Sequence, residues 1–182
     1  MFTQRIRKII IVTGSIVAMC SGFGIYKYYV TTAQGPIYDF NSTRDTQAIL
    51  DIFNQNWYWL LASDESSPAF MIKYRTPDAN PMHFGSLHIK VLRENDKLAG
   101  FTAYYMENSQ LGRLLFLAVA HDFRGKGYGK ILAQHAMQEL FKMGVHHIAL
   151  WTRVSNLPAQ RIYKELGFKE KFNENGYLYF EY

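Results

Sequence analysis

A single cysteine, Cys20, stands in a chain of 182 residues, and it lies among the first thirty. The remainder therefore excludes a disulfide framework and a cysteine zinc site. Histidine offers no substitute. Of six, only His146 and His147 are neighbours, and successive strand residues point to opposite faces, so no metal site is expected. Acidic residues are missing from the first thirty positions, which carry Arg5, Arg7, Lys8 and Lys27; removing these four from the formal charge of +5 leaves +1. The body thus has no broad basic face for nucleic acid, and its aromatics are assigned to core and cleft. Long apolar runs are scarce. One uncharged run, Ile9 to Tyr26, follows the basic head, is marginal against the roughly 20 residues a membrane-spanning helix needs, and is weakened by Thr13, Gly14, Ser15, Ser21, Gly22 and Gly24. Residues 1–30 read as an apolar leader: an anchor through residues 9–26, a cleaved export signal and a misassigned start all fit. A lipoprotein site at Cys20 is excluded by Met19, where such sites require a small residue.

What is present fits one domain over residues 36–182, with a sizeable core. Ile37 to Phe40 alternates like a short first strand, and Asn41, Ser42 or Thr43 can cap a helix in which Ile49, Leu50, Ile52, Phe53 and Trp57 recur near helical spacing. Trp57 to Leu60 extends that apolar surface, and Ser63 to Pro68 breaks it. Ala69 to Ser86 is aromatic yet irregular, either the cover of a site or a variable connection. Leu87–Arg93, Leu98–Met106 and Gly112–Ala120 read as a three-stranded antiparallel meander. Leu114 to Val119 is apolar on both faces, which marks a central strand covered by helices on both sides. A helix follows with Tyr128, Ile131, Leu132, Ala136, Leu140 and Met143 on one stripe and Gly144 at its end. Then come a strand from His147 to Arg153 and a helix capped by Ser155 or Asn156, with Leu157, Ala159, Ile162 and Leu166 inward. Phe168–Phe172, an Asn175-Gly176 hairpin turn and a last strand close the chain.

The junction between the central strand and the Tyr128 helix suits an anion. A helix start leaves four backbone N–H groups unpaired beneath the positive end of the helix dipole. At Gly125, Gly127 and Gly129 no Cβ keeps a phosphate away, while Arg124 and Lys126 add cationic donors. A dinucleotide fingerprint would need glycine at Lys130 or Leu132, and a P-loop would need glycine at Arg124 and a hydroxyl residue at Ile131. Neither fits.

What remains, Arg124-x-x-Gly127-x-Gly129 after an apolar strand, resembles the acetyl-CoA loop of the GNAT superfamily of N-acetyltransferases. A second stretch, Asn156-x-x-Ala159-x-x-x-Tyr163-x-x-x-Gly167-Phe168, matches that family's second motif at every marked position. The resemblance covers residues 36–182 and not the leader. It implies an α/β (α+β) fold: a central mixed, mostly antiparallel sheet flanked by helices on both faces, behind the N-terminal apolar segment. It also implies acetyl-CoA as co-substrate. Leu117 and Val119 would offer main-chain groups to the pantetheine arm. Arg124, Gly125, Lys126, Gly127, Tyr128, Gly129 and Lys130 would hold the pyrophosphate. Asn156 would line the cofactor, and Tyr163 would face the thioester sulfur. His121 stands where the family often has proline.

Acetyl transfer to an amine needs a neutral amine, an oxyanion donor and a proton for the departing thiolate. Tyr163 suits the last role, and its competing reading is a helix tyrosine buried for packing. The base stays open among Tyr104, Tyr105, Glu107, His121 and water, because Leu114 to Ala120 contains no acid. The expected function is acetyl transfer to a primary amine of a small molecule or protein; the alternative is a CoA-binding module that senses rather than catalyses. Positive charge before the leader favours an exported body, whereas a cytosolic donor requires a cytoplasmic one. The expectation is a cytoplasmic body held at the membrane.

Overall fold

Asn41 starts the first helix by reciprocal capping. Its Oδ1 accepts from the Arg44 N–H at 3.0 Å, and its own N–H donates to Asp45 Oδ2 at 2.9 Å. Asp45 is fully buried and also receives Arg44 Nε at 2.9 Å and the Arg93 guanidinium, so the helix entry is pinned to a neighbouring strand. The computed structural model describes residues 36–60 and 84–182. The leader, the Ser63–Pro68 turn and the Ala69–His83 part of the irregular stretch lie outside these residues. Among the described residues no helix is long and apolar enough to cross a membrane.

The elements are β1 (Ile37–Asp39), α1 (Ser42–Leu60), β2 (Phe84–Glu94), β3 (Lys97–Met106), β4 (Leu111–Val119), a 3-10 turn (His121–Phe123), α2 (Tyr128–Lys142), β5 (His147–Arg153), α3 (Leu157–Glu165), β6 (Lys169–Glu174) and β7 (Tyr177–Glu181). The seven described strands form one sheet in the order β1-β2-β3-β4-β5-β7-β6. Every pairing is antiparallel except β4 with β5. The mixed, mostly antiparallel sheet and the antiparallel meander are as expected. Strand β2 begins at Phe84, inside the stretch read as irregular.

Both faces are covered. Ile49, Ile52 and Phe53 of α1 pack with Val91, Phe101 and Ala103 on one side. On the other, Ala133, Ala136 and Leu140 of α2 pack with Tyr104, Leu114 and Leu150, and Tyr163 of α3 joins them. Central β4 feeds both: Phe116 meets Phe53 edge-on at 5.0 Å, while Leu114 faces α2. Two apolar assignments need correction. Trp57 is 51% exposed, because the buried stripe of α1 runs through Asp45, Ile49, Ile52, Phe53 and Asn56, and the next residue is turned about 100° away. Leu157 is 69% exposed: the buried positions of α3 are Gln160 and Tyr163, and its first residue lies outside the packed face.

Candidate active site

The cleft begins with one extra residue. Across β3 and β4, Ala103 pairs with Phe116 and Tyr104 with Leu114, so Leu115 has no partner. Such a bulge bends its strand. On its other side β4 pairs with β5 only through Leu111, Gly112 and Arg113, opposite His147, Ile148 and Ala149. Beyond that point the two parallel strands part. Leu115, Leu117 and Val119 line one wall of a cleft of about 730 Å³, with Trp151 and Thr152 on the other. The volume falls in the range of ligand sites.

At the far end of β4 the chain makes the 3-10 turn and enters α2. Gly127 is the N-cap at φ 80°, a left-handed conformation costly for any residue with a Cβ, and it has no side chain to satisfy the first-turn amides. Gly125 is also left-handed, at φ 79°, and a Cβ at either position would meet nothing within 4 Å. The demand there is conformational. Gly127, Tyr128, Gly129 and Lys130 line the cleft, so the helix start opens onto it.

The candidate cofactor residues divide. Leu117, Val119, Arg124, Gly125, Gly127, Tyr128, Gly129, Lys130 and Asn156 border the cleft together with Tyr163. Lys126 does not: its Nζ donates to Glu94 Oε2 at 2.8 Å and lies 5.2 Å from the Phe123 ring centroid. That bond, with one from the Tyr128 hydroxyl, holds the Glu94 carboxyl below its usual range. Tyr128 is itself a buried core residue packed with Leu92 and Leu132. Lys130 Nζ donates to Glu165 Oε2 at 2.9 Å, joining α2 to α3 at the cleft border. Arg124 is exposed and reaches back to α1: Nη2 donates to Asn56 Oδ1 at 2.7 Å, and Nε approaches the Val119 carbonyl at 3.5 Å.

Asn156 caps α3, accepting from the Ala159 N–H at 3.3 Å. Gln160, one turn on, donates to the Val154 carbonyl at 2.7 Å and fixes the helix to the end of β5. These contacts aim Tyr163 at the cleft from within the core, with its ring 5.9 Å from Phe168 and 6.1 Å from Phe180. Burial pushes its phenol well above the ordinary tyrosine value. It is therefore protonated at neutral pH.

None of the four candidate bases lines the cleft. Tyr104 is buried, stacked on His88 at 5.4 Å, and burial pushes its phenol up too. Burial likewise raises Tyr105. Glu107 pairs with Arg113, and exposed His121 lies 3.5 Å from Asp122. Among the described residues no cluster could hold a metal. Reading the sequence missed Asn56, Trp59, Leu115, Trp151 and Arg161, which also border the cleft. Asn56 left a trace, as the polar member of an apolar stripe.

The fold and cleft define an α/β protein with an elongated cleft between two parted strands, ending at a glycine-capped helix start. The chain belongs to the acetyltransferase (GNAT) family, whose sequence pattern matches residues 46–168. It is similar to an uncharacterized N-acetyltransferase of Methanocaldococcus jannaschii, with 34% identity over 48% of this chain and 42% of that one. It is also similar to the ribosomal protein bS18-alanine N-acetyltransferase of Escherichia coli K12, with 35% identity over 43% of this chain and 53% of the relative. The matched region thus spans about half the length of these curated relatives. A Salmonella typhimurium acetyltransferase structure, described as holding its cofactor acetyl-CoA, shares the fold with a TM-score of 0.63 at 16% identity, covering 81% of this chain and 92% of that one.

Proposed function

We propose that the chain transfers an acetyl group from acetyl-CoA to a primary amine. The observation that carries this reading is the cleft itself: strands that part beside the Leu115 bulge lead into a helix capped by left-handed Gly127, with Asn156 and Tyr163 on the facing element. In it the Leu117 and Val119 main chain would meet the pantetheine arm, and the amides from Gly125 to Lys130 the pyrophosphate. Arg124 would shape the loop, and Lys126 would act through Glu94 rather than on phosphate. The attacking amine forms a C–N bond as the thioester C–S bond breaks; Tyr163 gives its proton to the departing sulfur, and the proton shed by the amine nitrogen passes through water to restore the phenol. Desolvation that raises the phenol also raises the proton affinity of a thiolate held beside it, so the transfer stays feasible.

The CoA-sensing alternative gains no support, since each relative described above is named for acetyl transfer. The name of the Escherichia coli protein makes a protein N-terminal amine the first acceptor to try. The test is calorimetric titration of the full chain with acetyl-CoA, followed by thiol release against peptide and small amines. Binding with acceptor-dependent thiol release is the expected result. No binding at physiological acetyl-CoA concentrations would overturn the reading.

A further inference from the structure

Asn56 is a buried polar residue in the apolar stripe of α1, and the fold puts both ends of its amide to use. Nδ2 donates to the Ile52 carbonyl at 2.6 Å, which fixes the amide plane and turns Oδ1 outward. Oδ1 then accepts from Arg124 Nη2 at 2.7 Å. The preceding residue makes a longer contact to the same region: the His121 N–H donates to Gln55 Oε1 at 3.4 Å. One helical turn ahead, Trp59 and Leu60 border the cleft. A single turn of α1 therefore holds the approach to the glycine loop at one end and presents an aromatic wall to the cleft at the other.

From this geometry we propose that Asn56 is a positioning residue, coupling the anion-accepting loop to the α1 wall so that filling the loop moves the Trp59 wall. This rests on the acetyl-CoA reading above. Arg124 is the link: its guanidinium is committed to Asn56 and the Val119 carbonyl, so displacement of the loop by a bound pyrophosphate pulls on α1 through a charge-assisted bond. A residue serving α1 alone would need only the bond to Ile52. The acceptor oxygen is the part that serves the loop.

The test uses the full chain with Trp57→Phe and Trp151→Phe, which leaves Trp59 as the sole one of three tryptophans. The probe is 3′-phospho-ADP, the nucleotide half of CoA, which can fill the loop but has no pantetheine arm to reach between the strands. Saturating probe should shift Trp59 emission. Asn56→Ser keeps a hydroxyl that can bond the Ile52 carbonyl but is too short for Arg124. It should abolish the shift and weaken acetyl-CoA binding by about tenfold or more, the worth of one hydrogen bond to a charged group. Arg124→Ala removes the exposed end of the same bond and should silence Trp59 even if Asn56→Ser fails to fold. Failure of the parent chain to bind acetyl-CoA sinks the functional reading and this inference with it. Binding by the parent with the Trp59 shift intact in folded Asn56→Ser or Arg124→Ala overturns the coupling alone.

Discussion

Tyr163 serves the core and borders the cleft at once, and the two duties can be separated by a single oxygen. Its ring packs among Phe168, Phe180 and Leu178, so Tyr163→Phe keeps the packing and removes the proposed proton donor. We expect acetyl-CoA affinity to stay near that of the parent while turnover on an identified amine falls by about 10² to 10⁴, toward the lower end because water can replace a phenol in part. Steady-state kinetics with full turnover in Tyr163→Phe would return the residue to packing alone. At this scale the sequence was informative where the chemistry is local. Gly125 and Gly127 announce left-handed backbone, and Asn156 announces a cap, because these are demands a residue makes on its own neighbours. It was silent where the partner is distant. Nothing near Arg124 points to Asn56, 68 positions earlier, and nothing near Lys126 points to Glu94, 32 positions away.

Elements were legible wherever one period dominated. The hairpin turns at Asn95-Asp96 and Asn175-Gly176 adopt the positive φ their residues tolerate, and the stripe of α2 faces the core as its spacing required. The end of α1 misled because three aromatics in a row, Trp57 to Trp59, resemble core but stay 40% exposed or more. Two half-buried histidines have a measurable consequence. His88 of β2 and His135 of α2 both titrate below the ordinary histidine range, chiefly because burial disfavours the cation. Lys90 adds to both and Lys142 to His135, against Asp39 and Glu139. Free histidine titrates near 6.5, so below about that pH the unfolded chain takes up protons that the folded one resists. Stability should be whole above about pH 6.5 and should decline as pH falls through that value toward the folded-state pKa values. Urea midpoints between about pH 7.5 and 5.5 would show the slope. A His88→Gln/His135→Gln chain should flatten it, and an unchanged slope in that chain would refute the assignment.

For the whole molecule, the antiparallel meander and the central strand covered on both faces were legible in the strand patterns, whereas the mixed sheet was what the family resemblance implied, and all three are found. The cleft was not legible in the same way. It lies where β4 and β5 separate after three residue pairs, beside a register shift against β3 that bends the strand and that no periodicity in β4 betrays. Leu114, Leu115 and Phe116 read as an unbroken apolar run, and only the partner strand shows that the middle one is supernumerary. In genetic terms the cleft is therefore one codon deep. Excising Leu115 leaves Leu114 facing α2 and Phe116 facing α1, so neither core layer need change. The strand would lose its bend, and the ladder with β5 could run on where the walls now part. An in-frame deletion of that codon should yield a chain that unfolds cooperatively yet has no room for acetyl-CoA. Parent-like affinity in the deletion, measured by titration, would show that something other than the bulge holds the strands apart.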